Sequence, residues 1–101
     1  MGGESVSLFF TITGQKHYYG MLPFSVGMSL TLRAEPDNLY DSRAVAVYAT
    51  PYGKVGMVAN TPDTAAEGTV LASALFPQIQ GEATAIVRFI AGEYILAQWI
   101  E

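Results

Sequence analysis

The chain contains no cysteine. That excludes disulfide bonds and thiolate metal sites, and it removes the thiol nucleophile from any catalytic reading. It also fits a reducing compartment. Histidine occurs once, at His17, which is too few for a structural zinc site. The acidic residues show no calcium-loop spacing, so no metal and no cofactor is expected. Basic residues are scarce. Lys16, Arg33, Arg43, Lys54 and Arg88 are the five, against nine acidic residues, for a formal charge of -4. They are scattered along the chain, so the basic stripe of a protein that tracks a duplex is missing. A grip on one or two terminal nucleotides needs few phosphate contacts and stays open. No apolar run approaches the ~20 residues of a membrane helix. The run from Ser5 to Ile12 is short, and no basic residue precedes it as in a signal peptide. A cytoplasmic protein with no membrane partner is expected.

Catalytic patterns are absent as well. There is no Ser-His-Asp order with a nucleophile elbow, no phosphate-cradling glycine loop and no paired histidine. The expected role is non-enzymatic.

What is present is a folded, β-rich chain. Its 101 residues are 50% hydrophobic, which predicts one domain, residues 1–101, with a core that needs no staples. Val6 to Thr13 is rich in Phe, Ile and Thr and reads as a strand. Gly14 to Pro23 is a loop carrying Lys16-His17-Tyr18-Tyr19-Gly20. Met28 to Arg33 alternates apolar and polar residues as a half-buried strand does. Ala44 to Tyr48 and Lys54 to Val58 form a hairpin around the turn Thr50-Pro51-Tyr52-Gly53. Thr64-Ala65-Ala66-Glu67 fits a capping box, and Val70, Leu71, Ala74 and Leu75 make an apolar stripe at helical spacing. These predict a helix that Pro77 ends. Gly68 lies within its first turn at a cost of about 1 kcal/mol. Ala83 to Ile90 and Tyr94 to Ile100 read as a second hairpin, with Arg88 facing solvent or a ligand. The order predicts a mainly β fold with one helix: a small OB-like, partly open β-barrel of about six strands.

One segment says more. Glu35-Pro36-Asp37-Asn38-Leu39-Tyr40-Asp41-Ser42 holds residues that set turn dihedrals or bond their own backbone. It leads directly into the strand Ala44-Val45-Ala46-Val47-Tyr48. Together with Tyr18-Tyr19-Gly20 and Gly53-Lys54-Val55-Gly56-Met57-Val58, in this order and spacing, it resembles the signature of the HIRAN family. The resemblance is readable from about Phe10 to Trp99.

The resemblance implies an OB-like barrel with a helix, found alone or attached to DNA-remodelling and repair translocases. It implies a module that binds the 3′ end of single-stranded DNA. Carried over by motif, Tyr18 or Tyr19 stacks a terminal base, Tyr40 forms another wall, and Asp41 accepts a hydrogen bond from the terminal hydroxyl. His17 and Lys16 stand where the family's aromatic loop carries a basic residue. Arg43 replaces a common Asn, as a phosphate contact or as the partner of Asp41 or Asp37. Tyr94 is matched loosely to an aromatic of the same pocket. Ala59-Asn60-Thr61 occupies a place where the family often has a basic residue.

Bland readings compete with these. Asp41 and Tyr40 serve equally well as a turn cap and a barrel-end cover, and Glu35 to Asn38 reads as scaffold. The second function is a protein-interaction or self-association module of the same fold without DNA binding. The acidic balance and the apolar Ile95, Leu96, Trp99 and Ile100 favour it.

Overall fold

The computed structural model describes residues 7–100. Val6, the start of the first expected strand, lies outside the described residues. The strands are β1 (Phe9–Thr13), β2 (Ser29–Glu35), β3 (Ala44–Ala49), β4 (Gly53–Val58), β5 (Glu82–Ala91) and β6 (Tyr94–Ile100). A short helix, α1 (Ala72–Leu75), lies between β4 and β5. The six strands pair antiparallel into a ring in the order β1-β4-β3-β2-β5-β6. This is the mainly β, OB-like architecture expected. The ring is joined most briefly at β1 and β4, where only Ile12 with Val58 and Thr13 with Met57 are in register.

Period-two alternation decides what faces inward. Phe10 and Ile12 of β1, Leu30 and Leu32 of β2, Val45 and Val47 of β3, and Ile95 and Ala97 of β6 are buried in one apolar core. β3 is buried on both faces from Ala44 to Val47, and α1 lies against it. Gly56 of β4 is buried where β1 crosses closely. A Cβ there would stand 2.9 Å from Ile12 Cγ2 and 3.1 Å from the Thr13 carbonyl oxygen.

Two bulges break the alternation. Between β3 and β4 the register steps from Val47 opposite Gly56 to Tyr48 opposite Lys54, which leaves Val55 as the extra residue. Val55 and Gly56 are consequently buried in succession, while Lys54 and Met57 both stay partly exposed. Without the bulge, Lys54 and Met57 would point to opposite faces. Between β5 and β6 the register steps from Val87 opposite Ala97 to Phe89 opposite Leu96. Arg88 is the extra residue, is exposed, and donates from Nε to Gln98 Oε1 at 2.8 Å.

The expected helix is mostly replaced by turns. α1 covers only Ala72–Leu75, and a single 3-10 turn, Phe76–Gln78, follows and contains Pro77. Residues 64–71 spend their hydrogen bonds elsewhere. The Ala66 N–H donates to Thr11 Oγ1, and the Val70 N–H donates to the Phe9 carbonyl. Gly68 takes φ 87°, outside the helical region. Thr64 bonds Thr61 through its hydroxyl and caps no helix. Ala72 and Leu75 are the buried face, while Ala74 is exposed. A buried polar partner across the ring, Thr11, thus outweighs a local capping pattern.

Candidate functional site

The segment before β3 is organised by its own side chains. Asn38 Oδ1 accepts the N–H groups of Tyr40 and Asp41 at 2.9 and 3.0 Å. Asn38 Nδ2 donates to Glu35 Oε1 at 3.0 Å. Asp41 Oδ1 accepts the Arg43 N–H at 2.9 Å, which starts β3. These are the Asx turns that Asn and Asp form readily. Because the backbone is tied down underneath, Tyr40 is held out with 97% of its surface exposed.

A cleft of about 530 Å³ opens beside this turn. His17 and Tyr18 from the loop after β1, Tyr40 and Asp41 from the turn, and Lys54 and Asn60 from β4 and its exit line it. Ala44, Met57 and Val58 supply apolar wall. Asp41 Oδ2 accepts from Asn60 Nδ2 at 2.6 Å, and Asn60 Oδ1 in turn accepts the Ser73 N–H at 2.9 Å. The carboxylate is therefore fixed from two sides.

Lys54 is the charged counterpart. Its ammonium pairs with Glu35 Oε2 at 2.8 Å and lies 5.7 Å from the centre of the Tyr18 ring. Burial pushes the Glu35 carboxyl up, but hydrogen bonds from Lys54 and Asn38 and the Lys54 charge outweigh it, so Glu35 sits below its ordinary value. Burial likewise pulls Lys54 down, and Glu35 and Tyr18 together carry it above its ordinary value. Both groups are charged in neutral solution.

The structure thus brings His17, Tyr18, Tyr40 and Asp41 together. The other expected site residues lie elsewhere. The Tyr19 ring turns to Tyr52, with centroids 5.1 Å apart. Lys16 and Tyr94 line a separate depression of about 210 Å³ with Thr11, Gln15 and Glu93. The Arg43 side chain pairs with neither Asp41 nor Asp37. It reaches the Ser73 carbonyl at 3.5 Å and lies 5.9 Å from the Phe76 ring centre. Lys54, Met57 and Asn60 were missed by sequence reasoning. Lys54 and Met57 share the cleft through the bulge at Val55, which no local pattern announces. Asn60 was visible only as an uncharged residue in an otherwise basic place. Among the described residues, no group of His, Asp and Glu is arranged to hold a metal ion. Nor is any helix of the described residues long and apolar enough to cross a membrane.

A small antiparallel ring with an aromatic- and carboxylate-lined cleft defines a binding module. The profile of the HIRAN domain family matches residues 5–66, and the chain belongs to that family, whose domains are known generally as DNA-binding modules. The match spans the aromatic loop, the turn and β1 to β4, and leaves Tyr94 outside. A crystal structure of a protein from Lactobacillus plantarum is similar, with TM-score 0.65 and 19% identity over 93% of each chain. The crystal structure of the HIRAN domain of human HLTF gives TM-score 0.62 and 20% identity, over 92% of this chain and 74% of that one. No curated protein sequence matches this chain significantly.

Proposed function

We propose that this domain binds the unphosphorylated 3′ end of single-stranded DNA, without catalysis, in the cleft between Tyr18 and Tyr40. One observation carries the reading: Tyr18 and the adjacent pair Tyr40-Asp41, which lie far apart in sequence, line one cleft of a HIRAN-family domain. Tyr18 and Tyr40 offer faces for the last bases. Asp41 accepts a hydrogen bond from the terminal sugar hydroxyl and repels a terminal phosphate.

Stacking contributes about 1–3 kcal/mol per base. Two bases and one charge-assisted hydrogen bond give roughly 4–8 kcal/mol before the cost of association, so about micromolar is the tight limit and the net affinity is weaker than that. Useful binding then requires a partner protein or several copies. The test is a low-salt titration of labelled oligothymidine ending in a 3′-hydroxyl or a 3′-phosphate. The hydroxyl end binds more tightly. Equal binding of the two ends, or none at several hundred micromolar protein, rejects the reading.

A second reading, self-association through the outer wall of β1, β6 and β5, is favoured by one contact. Phe9 and Phe89 meet with ring centres 6.1 Å apart, and Phe89 remains 58% exposed. Ile95 is fully buried and serves no partner, while Trp99 is partly buried against the core. Sedimentation of the free domain separates a monomer from a dimer.

A further inference from the structure

Among the described residues, Lys54 is the only lysine or arginine that lines the cleft. Its ammonium and the Glu35 carboxylate are partly exposed, with 26% and 24% of the two side chains accessible. The pair can therefore open toward a ligand without unpacking the core. Glu35 is not left stranded when that happens, because its other oxygen is held by Asn38 Nδ2 at 3.0 Å. An ammonium has three donors, and Glu35 is the acceptor 2.8 Å from this one. The face of Tyr18 lies beside the same ammonium. A nucleotide that stacks on Tyr18 therefore brings its charged backbone to the cleft that Lys54 lines.

We propose that Lys54 is the cleft's seat for a backbone phosphodiester, and that Glu35 is a built-in competitor which the phosphodiester displaces. The proposal rests on the DNA-end reading of the same cleft and adds to it the group that meets the charge of the chain. In the free protein Glu35 neutralises Lys54, and Asp41 leaves the cleft net negative. A nucleic acid is thus met by a cation that is already engaged. Affinity is set by the difference between two anions competing for one ammonium. Asp41 meets the uncharged terminus and Lys54 the charged linkage that precedes it.

The test compares wild type with Glu35→Gln, Lys54→Gln and Lys54→Arg. Each is titrated with oligothymidine whose last linkage is either a phosphodiester or an uncharged methylphosphonate. Glu35→Gln tightens the phosphodiester about 5-fold and leaves the methylphosphonate unchanged. Lys54→Gln weakens the phosphodiester about 10-fold and reduces the log–log salt slope by about 0.7. Lys54→Arg restores both. A merely structural pair would alter both ligands equally and leave the salt slope alone, and that result overturns the proposal.

Inorganic phosphate, followed by the Lys54 side-chain NMR signal, separates the two ideas. If phosphate shifts that signal more in Glu35→Gln than in wild type while no variant binds oligothymidine, the seat stands and the DNA-end reading falls. If oligothymidine binds all four proteins equally, the reading stands and the seat falls.

Discussion

Asn60 donates its side-chain amide to Asp41 Oδ2 at 2.6 Å, across 19 residues of sequence. With the Arg43 N–H on the other oxygen, this makes Asp41 a structural residue as well as the acceptor proposed for the terminal hydroxyl. Carboxylate oxygens carry further lone pairs, so both roles fit on one side chain. The two can be separated by choosing which partner to remove.

Asn60→Ala strips a partner from Asp41 and from the Ser73 N–H together. Leaving such groups unsatisfied costs about 1–3 kcal/mol. Urea unfolding will show that loss, and oligothymidine binding will weaken because Asp41 is then held only by the Arg43 N–H.

Tyr40→Ala gives the complementary result. Its side chain is 97% exposed and holds nothing together, so stability changes by less than about 0.5 kcal/mol. Binding falls by about 10-fold or more through the lost stacking face. Paired thermal melts and fluorescence titrations check this. Unchanged binding would remove Tyr40 from the site.

Gly56→Ala tests the crossing of β1 and β4. The new methyl meets Ile12 Cγ2 at 2.9 Å and the Thr13 carbonyl at 3.1 Å. Such overpacking costs about 1–3 kcal/mol. At about 4–8 °C per kcal/mol for a chain of this size, the melting temperature drops measurably.

The Lys54–Glu35 pair makes stability depend on pH at both extremes. Glu35 lies below its ordinary 4.5 in the folded state, so its contribution is full above 4.5 and is lost as pH falls through the lowered value. Lys54 lies above its ordinary 10.5, so its contribution is full below 10.5 and is lost as pH rises through the raised value. A partly exposed pair is worth up to about 1 kcal/mol. The stability gap between wild type and Glu35→Gln should be flat near neutrality and should close in acid. The gap to Lys54→Gln should close in alkali.

Much of the fold was legible in the sequence. The predicted strand from Tyr94 to Ile100 matches β6 end to end, and the others agree within a few residues. Met28 to Arg33 was legible through period-two alternation and the others through β-branched, aromatic and apolar composition between turn residues, signals that a short segment carries by itself. The helix was misread because capping and apolar spacing are local signals. Thr11, on a strand far back in the chain, holds the backbone N–H of Ala66 and the Thr69 hydroxyl instead. Of the residues expected from their motifs, His17, Tyr18, Tyr40 and Asp41 line one cleft. Tyr19 and Tyr94 diverged because a neighbour in sequence, or a match in residue type, does not determine which depression a ring enters.

The amino-acid sequence by itself determined the strands, the self-bonded turn at Asn38 and Asp41, and the family. Those depend on alternation, backbone chemistry and motif spacing, which short segments express alone. Only the tertiary structure decided that β4 bulges at Val55, that Lys54 therefore shares a cleft with Met57, Tyr18 and Asp41, and that Glu35 already holds its charge. Register and ring closure are set by pairing between distant strands, and a single extra residue in that pairing moves a side chain from one face of the sheet to the other.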